Sequence, residues 1–197
     1  MFSVKAKAMS VVTAPLESKL ITGEELLAMG DIGPCELIDG RIVPRNYATG
    51  EHGFLVLVLA TEIGNFVKER NLGRVMIGGV GIYIRRNPDR VRAMDIAFIS
   101  KECWPGKLSQ GYLEATPQLI VEVISPTDRW EDVRQKLEDC FSIGVQRVWV
   151  VEPENRAVLV YRSATEMQRL GEGDTLAGEG ALEGFTLPVA SLFEELE

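Results

Sequence analysis

The 197-residue chain has few of the residues that build the commonest catalytic centres. It contains one histidine, His52, and three cysteines, Cys35, Cys103 and Cys140, none of them in a CxxC pair. A zinc site built on histidine and cysteine ligands is therefore excluded. The sequence also has no Walker motif, no dinucleotide-binding glycine fingerprint and no GxSxG elbow. A Ser-His-Asp triad would have to depend on His52 alone.

Long apolar runs are missing as well. None reaches the roughly 18 residues of a membrane-spanning helix, so no membrane partner is expected. The first residues, MFSVKAKAMSVVTAP, lack the apolar stretch and cleavage site of a signal peptide, and we interpret residues 1–18 as a tail. An odd number of unpaired cysteines suits a reducing compartment, which predicts a cytoplasmic protein.

Charge and composition bound the class of protein. Hydrophobic residues make up 46% and charged residues 25%, a globular profile that predicts one domain over residues 19–197. The formal net charge is −8, whereas a protein that binds nucleic acid by counterion release should present a basic surface. Any nucleic-acid role therefore needs a local basic patch. A chain rich in carboxylates is equally suited to divalent metal ions.

Helical and strand patterns alternate along the chain, which is typical of an α/β protein. The first half predicts a helix opened by the capping box of Thr22 and Glu25, a hairpin at Asp39-Gly40, a helix over 51–70 and strands over 75–84 and 94–100. The second half predicts a central strand over 118–125, a helix with Ser125 as N-cap and Pro126 at its first position, strands over 147–151 and 157–162, and then loops, a strand over 185–188 and a terminal helix.

Three carboxylates fall on predicted strands, namely Glu36, Asp95 and Glu122. Glu122 is the most unusual, because it interrupts an apolar run and a buried carboxylate is costly without a partner. Alternation places it with Ile120 and Ile124, and places Asp95 with Ala97 and Ile99, opposite Met94. A buried cation or a metal ion should accompany Glu122. One available cation is Lys136, on the edge of the helix stripe of Val133, Leu137, Cys140 and Phe141.

Other residues remain open to two interpretations. His52, at the start of the long helix, either caps and packs there or assists a site. Four arginines surround an Asn-Pro-Asp turn, namely Arg85, Arg86, Arg90 and Arg92. They either belong to a solvated hairpin loop or contact the phosphates of a nucleic acid. The acids themselves could form structural pairs, Glu122 with Lys136 or Asp95 with Arg92. A glycosidase carboxylate pair is disfavoured, because few aromatic residues are placed to stack on sugars.

Several motifs together resemble one family. They are CELIDGRIV, a histidine before a long helix, MDIAFIS, GYLEATPQLIVEVISPTDRWEDVRQK and GVQRVWVVEPENRAVLVYR, spread over roughly residues 20–195. This succession closely resembles the Uma-type restriction endonucleases, a branch of the PD-(D/E)xK nuclease superfamily. The resemblance implies a restriction-endonuclease-like fold, in which a mixed β-sheet is flanked by helices.

The resemblance also implies a chemistry. Asp95 matches the aspartate of PD, with Met94 in place of the proline, and Glu122 matches the acid of (D/E)xK. Ile124 stands where the motif lysine belongs, and Lys136 on the next helix is the matching residue. The implied function is an endonuclease that cleaves DNA with Mg²⁺ or Mn²⁺ held by Asp95, Glu122 and Glu36, and that acts as a homodimer. The alternative is an inactive nuclease fold that serves as a binding or assembly module.

Overall fold

A computed structural model describes residues 19–107 and 110–196 of the chain. The tail predicted over residues 1–18 lies outside the described residues. The described elements are three α-helices, ten β-strands and three short 3₁₀ helices. The first half contains α1 (Gly23–Ala28), β1 (Cys35–Ile38), β2 (Arg41–Pro44), α2 (Gly50–Arg70), β3 (Gly73–Arg85) and β4 (Arg90–Ser100). The second half contains β5 (Leu119–Val123), α3 (Trp130–Ser142), β6 (Arg147–Glu152), β7 (Ala157–Tyr161), β8 (Met167–Leu170), β9 (Thr175–Ala177) and β10 (Thr186–Pro188), with 3₁₀ helices at Gly180–Leu182, Val189–Leu192 and Glu194–Leu196.

Local sequence signals account for the first elements. The Thr22 hydroxyl accepts the N–H of Glu25 and the Glu25 carboxylate accepts the N–H of Thr22, so the predicted capping box opens α1. Asp39 and Gly40 both have positive φ, of 55° and 74°, which is the geometry of a two-residue turn between antiparallel strands. The hairpin of β1 and β2 is confirmed.

Eight strands form one mixed sheet. Its order is β2-β1-β4-β5-β6-β7-β8, and β3 pairs with the other edge of β4. Strands β5 and β6 are parallel and are joined by α3, which confirms the predicted β-α-β unit. The remaining pairings along this path are antiparallel. Strand β5 lies between two neighbours, so the central position predicted for it is confirmed.

The two faces of the sheet bury different partners. Helix α2 covers one face with Leu55, Leu59, Ile63, Phe66 and Val67, and the C-terminal segment 176–193 packs on the same face. Helix α3 covers the other face with Leu137 and Cys140, against residues such as Ile120, Val148 and Val150. Among the described helices, none is both long enough and apolar enough to cross a membrane.

The structure corrects three local predictions. Ser125 is not the N-cap of α3, because Asp128 accepts the N–H of Ser125 and closes a turn, and the helix begins only at Trp130. The C-terminal region contains strands β8 and β9, which carry little apolar alternation, and its predicted terminal helix is 3₁₀. Met94 packs with Ala97 and Ile99 on the α3 face, opposite to the predicted alternation.

The Met94 correction has a local cause. Ile77 pairs with Ile96 and Val80 with Met94, so two residues of β3, Gly78 and Gly79, lie opposite the single residue Asp95. This arrangement is a β-bulge, and both glycines have positive φ, 93° and 70°, which other residues adopt only with strain. The bulge resets the alternation of β4 at Asp95.

Candidate active site

A fork in the sheet lies at the centre of the candidate site. One edge of β4 pairs with β1 at Val91 and with β5 at Ile96–Phe98. Between these pairings, side chains take the place of strand hydrogen bonds. The N–H of Ala93 donates to Glu36 Oε1 at 3.1 Å, and the N–H of Val123 donates to Asp95 Oδ2 at 2.8 Å. Two of the predicted acids therefore lie where the sheet opens.

Asp95 lies opposite the bulge of β3, and its carboxylate is hydrogen-bonded to β5 and to α2. Its Oδ2 lies 3.1 Å from His52 Nε2, within the first turn of α2. Burial alone would raise the pKa of Asp95, but the hydrogen bond to His52 and the charge of Lys136 hold it below its ordinary value. The same hydrogen bond raises the pKa of His52. The structure therefore brings His52 to the predicted site. Its Nδ1 is buried without a hydrogen-bond partner.

Glu122 and Lys136 form a buried ion pair. Lys136 Nζ lies 2.5 Å from Glu122 Oε2, and the two side chains are 13% and 14% exposed. The structural pair considered from sequence is thus present, and Glu122 has the cation that its burial requires. The other oxygen, Glu122 Oε1, is buried without a partner. Burial raises the pKa of Glu122 to about 7 despite the nearby ammonium, which the surrounding carboxylates keep charged.

Glu36 joins the site from β1 and is the most enclosed of the acids, with 1% of its side chain exposed. Its Oε2 accepts a hydrogen bond from Arg92 Nη1 at 2.9 Å, and its Oε1 lies 3.8 Å from Lys136 Nζ. Burial opposes its ionisation, but Lys136, Arg92 and Arg45 together hold its pKa below the ordinary value. Both carboxylate oxygens therefore already have partners within the protein.

The predicted arginine cluster is engaged by carboxylates. Arg85 pairs with Asp39, and Arg86 with Glu24, Asp89 and Glu114. Arg90 and Arg92 are buried and pair with Asp139, a residue of α3. Arg92 thus bonds to Glu36 and Asp139, and no Asp95–Arg92 contact exists within the described residues. Only Arg85 and Arg86 keep a substantial exposed fraction for phosphate contacts.

An open cleft of about 700 Å³ leads to these residues. Asp95, Glu122, Glu36, Lys136 and His52 all line it, so the structure brings the five predicted site residues into one cavity. Its walls include residues that the sequence did not single out, namely Arg45, Asn46, Tyr47, Asp128, Arg129 and Asp132. Tyr47 is 81% exposed. No periodic pattern marks these positions, because they lie on the loops before α2 and α3 and, for Asp132, in the first turn of α3, which meet only in the folded chain.

The residues present fit a hard divalent cation, on two carboxylates rather than three. Within residues 19–107 and 110–196, no group of three or more His, Cys, Asp or Glu side chains is arranged to hold a metal by itself. Glu122 Oε1 nevertheless lacks a partner, and both described hydrogen bonds of Asp95 go to Oδ2. Mg²⁺ commonly takes one or two carboxylates and completes its coordination with water and substrate phosphate. Asp95 and Glu122 match that pattern.

The fold and the site together define the class. A large mixed sheet flanked by helices, with acids at a fork in the sheet, is the restriction-endonuclease-like architecture expected from sequence. A crystal structure of a putative nuclease of the DUF820 group from Anabaena variabilis has this fold, with a TM-score of 0.76 and 21% sequence identity. The match covers 90% of this chain and 99% of that one.

The family follows from the sequence. The profile of the Uma2 family, described as "Putative restriction endonuclease", matches residues 24–190. The chain belongs to the Uma2 family. Among proteins with curated descriptions, none matches it in sequence.

Proposed function

We propose that this protein is a metal-dependent endonuclease that hydrolyses DNA phosphodiester bonds at the fork between β1, β4 and β5. The observation that carries the proposal is the convergence of Asp95, Glu122 and Lys136, from two strands and a helix, on one open cleft. The family description and the printed name of the Anabaena variabilis protein support a nuclease. Mg²⁺ or Mn²⁺ would be held by Asp95 and Glu122.

The bound ion would supply Lewis-acid stabilisation of the developing phosphate charge and would favour deprotonation of the attacking water. The protein's own groups do the rest. Lys136 lies beside Glu122, where its ammonium can orient the attacking water or stabilise negative charge on the scissile phosphate. His52 holds the orientation of Asp95 through its hydrogen bond to Oδ2.

Glu36 acts on Lys136 in this proposal. The resemblance implied that Glu36 is a metal ligand, but its oxygens already accept hydrogen bonds from Arg92 and Ala93. Its negative charge close to Lys136 favours the charged ammonium in a buried place, where desolvation alone would favour the neutral amine.

The test is cleavage of supercoiled plasmid and of single-stranded DNA in Mg²⁺ or Mn²⁺, with Asp95→Asn and Glu122→Gln prepared in parallel. Both substitutions keep side-chain size and remove only charge. We expect cleavage by the natural sequence and loss of it in both variants, with weaker Mn²⁺ binding measured by calorimetry. Cleavage that persists in both variants would show that the activity belongs elsewhere.

One observation favours a second candidate, a nuclease fold that serves as a binding or assembly module. The net charge is −8, and the four arginines predicted to contact phosphates pair with carboxylates of the same chain. Absence of both cleavage and Mn²⁺ binding would favour the module. The predicted homodimer stays a prediction, which sedimentation measures directly.

A further inference from the structure

A line of alternating charges runs from the surface to the candidate active site. Each member lies within 4 Å of the next, and the members come from β1, its turn, β4, β5 and α3. In order they are Asp39, Arg90, Asp139, Arg92, Glu36, Lys136 and Glu122. Only the last three belong to the site as proposed.

Asp139 joins the two arginines of this line and has no part in the proposed chemistry. Arg90 Nη1 donates to its Oδ1 and Arg92 Nε donates to its Oδ2, each at 2.6 Å. Its side chain is 10% exposed, and its buried neighbours along α3 include the apolar Leu137 and Cys140. Both guanidinium groups come from β4, the strand that also carries Asp95. Asp139 therefore attaches α3 to the strand of the site.

The position of Asp139 connects this attachment to Lys136. The two residues are three apart on α3, so they lie on the same side of the helix, one turn from each other. Arg92 also donates to Glu36, which lies 3.8 Å from Lys136 Nζ. Lys136 therefore has an acid on either side. Asp139 attaches its helix to β4, Glu36 faces its ammonium group, and Arg92 bonds to both acids.

A purely stabilising role explains this arrangement poorly. Replacing a buried ion pair by apolar residues is often neutral or stabilising, because desolvation offsets the attraction. The rest of the α3 face is packed with apolar residues, which would serve the core equally well. A long lysine that arrives from a helix, rather than from the strand of Glu122, does need its helix placed accurately, since a shift of about 1 Å can cost two orders of magnitude in rate.

We propose that Asp139 is a positioning residue, which the paired guanidinium groups of Arg90 and Arg92 hold so that α3 presents Lys136 to Glu122. The inference rests on the proposed function for its kinetic consequence. The placement of Lys136 itself can be tested without any activity.

The experiment compares Asp139→Asn with Glu179→Gln. Glu179 is a matched control, because it too is one acid bound by two arginines, Arg147 and Arg162. Glu179 does not line the cleft, and it pairs with Arg147 at the start of β6. Each variant is examined by nuclear magnetic resonance of the lysine ammonium groups, with Lys136 assigned through Lys136→Arg, and by steady-state cleavage of plasmid DNA.

In the natural sequence we expect Lys136 to give a slowly exchanging ammonium signal, because it is buried and hydrogen-bonded to Glu122. Asp139→Asn should abolish or shift that signal and lower kcat about 10- to 100-fold with KM little changed, because displacing a catalytic group by about 1 Å can cost two orders of magnitude in rate. Glu179→Gln should change neither. If the protein has no nuclease activity, the proposed function is wrong, but the resonance measurement still tests whether Asp139 places Lys136.

A folded Asp139→Asn protein with the natural Lys136 signal overturns the inference, as does loss of the signal in Glu179→Gln. Should Asp139→Asn fail to fold, Arg92→Lys takes its place. That substitution keeps the positive charge but not the planar fork that reaches Glu36 and Asp139 together. It should give the same change in signal, and failure of both variants to fold would overturn a positioning role in favour of a folding role.

Discussion

The two faces of the sheet differ in what they bury. The α2 face is an apolar core, in which Leu59, Ile63 and Trp149 are at most 2% exposed. The α3 face combines apolar packing with the charged line that includes Asp139, Arg92 and Glu36. Apolar burial stabilises at roughly 25 cal/mol per Å², whereas buried ion pairs contribute little net stability but fix geometry. Both faces therefore contribute an apolar core, and the α3 face adds the charged line that, in our proposal, positions the site.

The largest effect should come from the charged face. Lys136→Met should lower the cleavage rate about 10²- to 10³-fold, the cost of removing one group that stabilises transition-state charge. Asp95 and Glu122 remain, so Mn²⁺ binding measured by calorimetry should persist. Lys136→Arg is the matched control, because it retains charge. An unchanged rate in Lys136→Met would remove the lysine from the mechanism.

The apolar face should respond in stability alone. Leu59→Ala removes a fully buried side chain of α2 and should lower the free energy of unfolding by about 3 kcal/mol. Denaturant unfolding measures this change. The fraction that remains folded should keep the natural kcat, because Leu59 does not line the cleft. A large loss of kcat in folded protein would show that the two faces are not separate.

The third effect in size is a pH dependence of stability, which we expect from Glu122 on the charged face. In the metal-free protein, burial raises the pKa of Glu122 from the ordinary 4.5 to about 7. The folded state then binds this proton more tightly than the unfolded state, so its contribution to stability is lost as pH rises through that window. Glu122→Gln does not titrate there. Between pH 5 and 8 the variant should gain about 2 kcal/mol relative to the natural sequence.

The measurement is denaturant unfolding across that range with EDTA present. Asp95 and Glu36, whose pKa values are lowered, lose their contribution only as pH falls below the ordinary carboxyl range, so they do not obscure the effect. A constant difference between the two proteins from pH 5 to 8 would contradict the raised pKa.

The smallest effect concerns the thiols. Cys140 lies on the buried side of α3, and burial raises the pKa of its thiol to about 12, so only about one part in ten thousand is thiolate at pH 8. Cys103 is exposed. Iodoacetamide should therefore modify Cys103 first and leave Cys140 intact, as read by mass spectrometry. Fast alkylation of Cys140 in native protein would show that the α3 face opens.

Local patterns predicted much of this fold because their causes are local. The capping box of α1, the Asp39-Gly40 turn and the alternation of β5 are set by neighbours in sequence, and the structure confirms them. The sequence predicted a strand over 75–84, and it did not predict the bulge at Gly78 and Gly79 within that strand. Its effect on Met94 depends on pairing with β4, which is not a property of either strand alone.

The residues of the candidate site could be predicted from the sequence, but the residues that hold them in place could not. Glu122 was marked by the cost of an acid in an apolar strand, and the resemblance connected it with Asp95 and Lys136. Asp139 gave no such signal, because acids are common in a charged helix. Its burial against two arginines depends on how the helix packs on the sheet. Arg90 and Arg92 were interpreted as loop residues, although the fold buries both against that helix.

The sequence by itself determined the family and most of the order of elements up to β7, and it predicted the residues of the candidate site, since periodicity, turn chemistry and motif spacing depend on neighbouring positions. Only the tertiary structure decided which charges meet. The fork in β4 brings Glu36, Asp95 and Glu122 to one cleft, and the crossover of α3 brings Lys136 to Glu122. The physical reason is that ion pairs depend on distances between elements far apart in the chain, and the packing of helices on the sheet sets those distances.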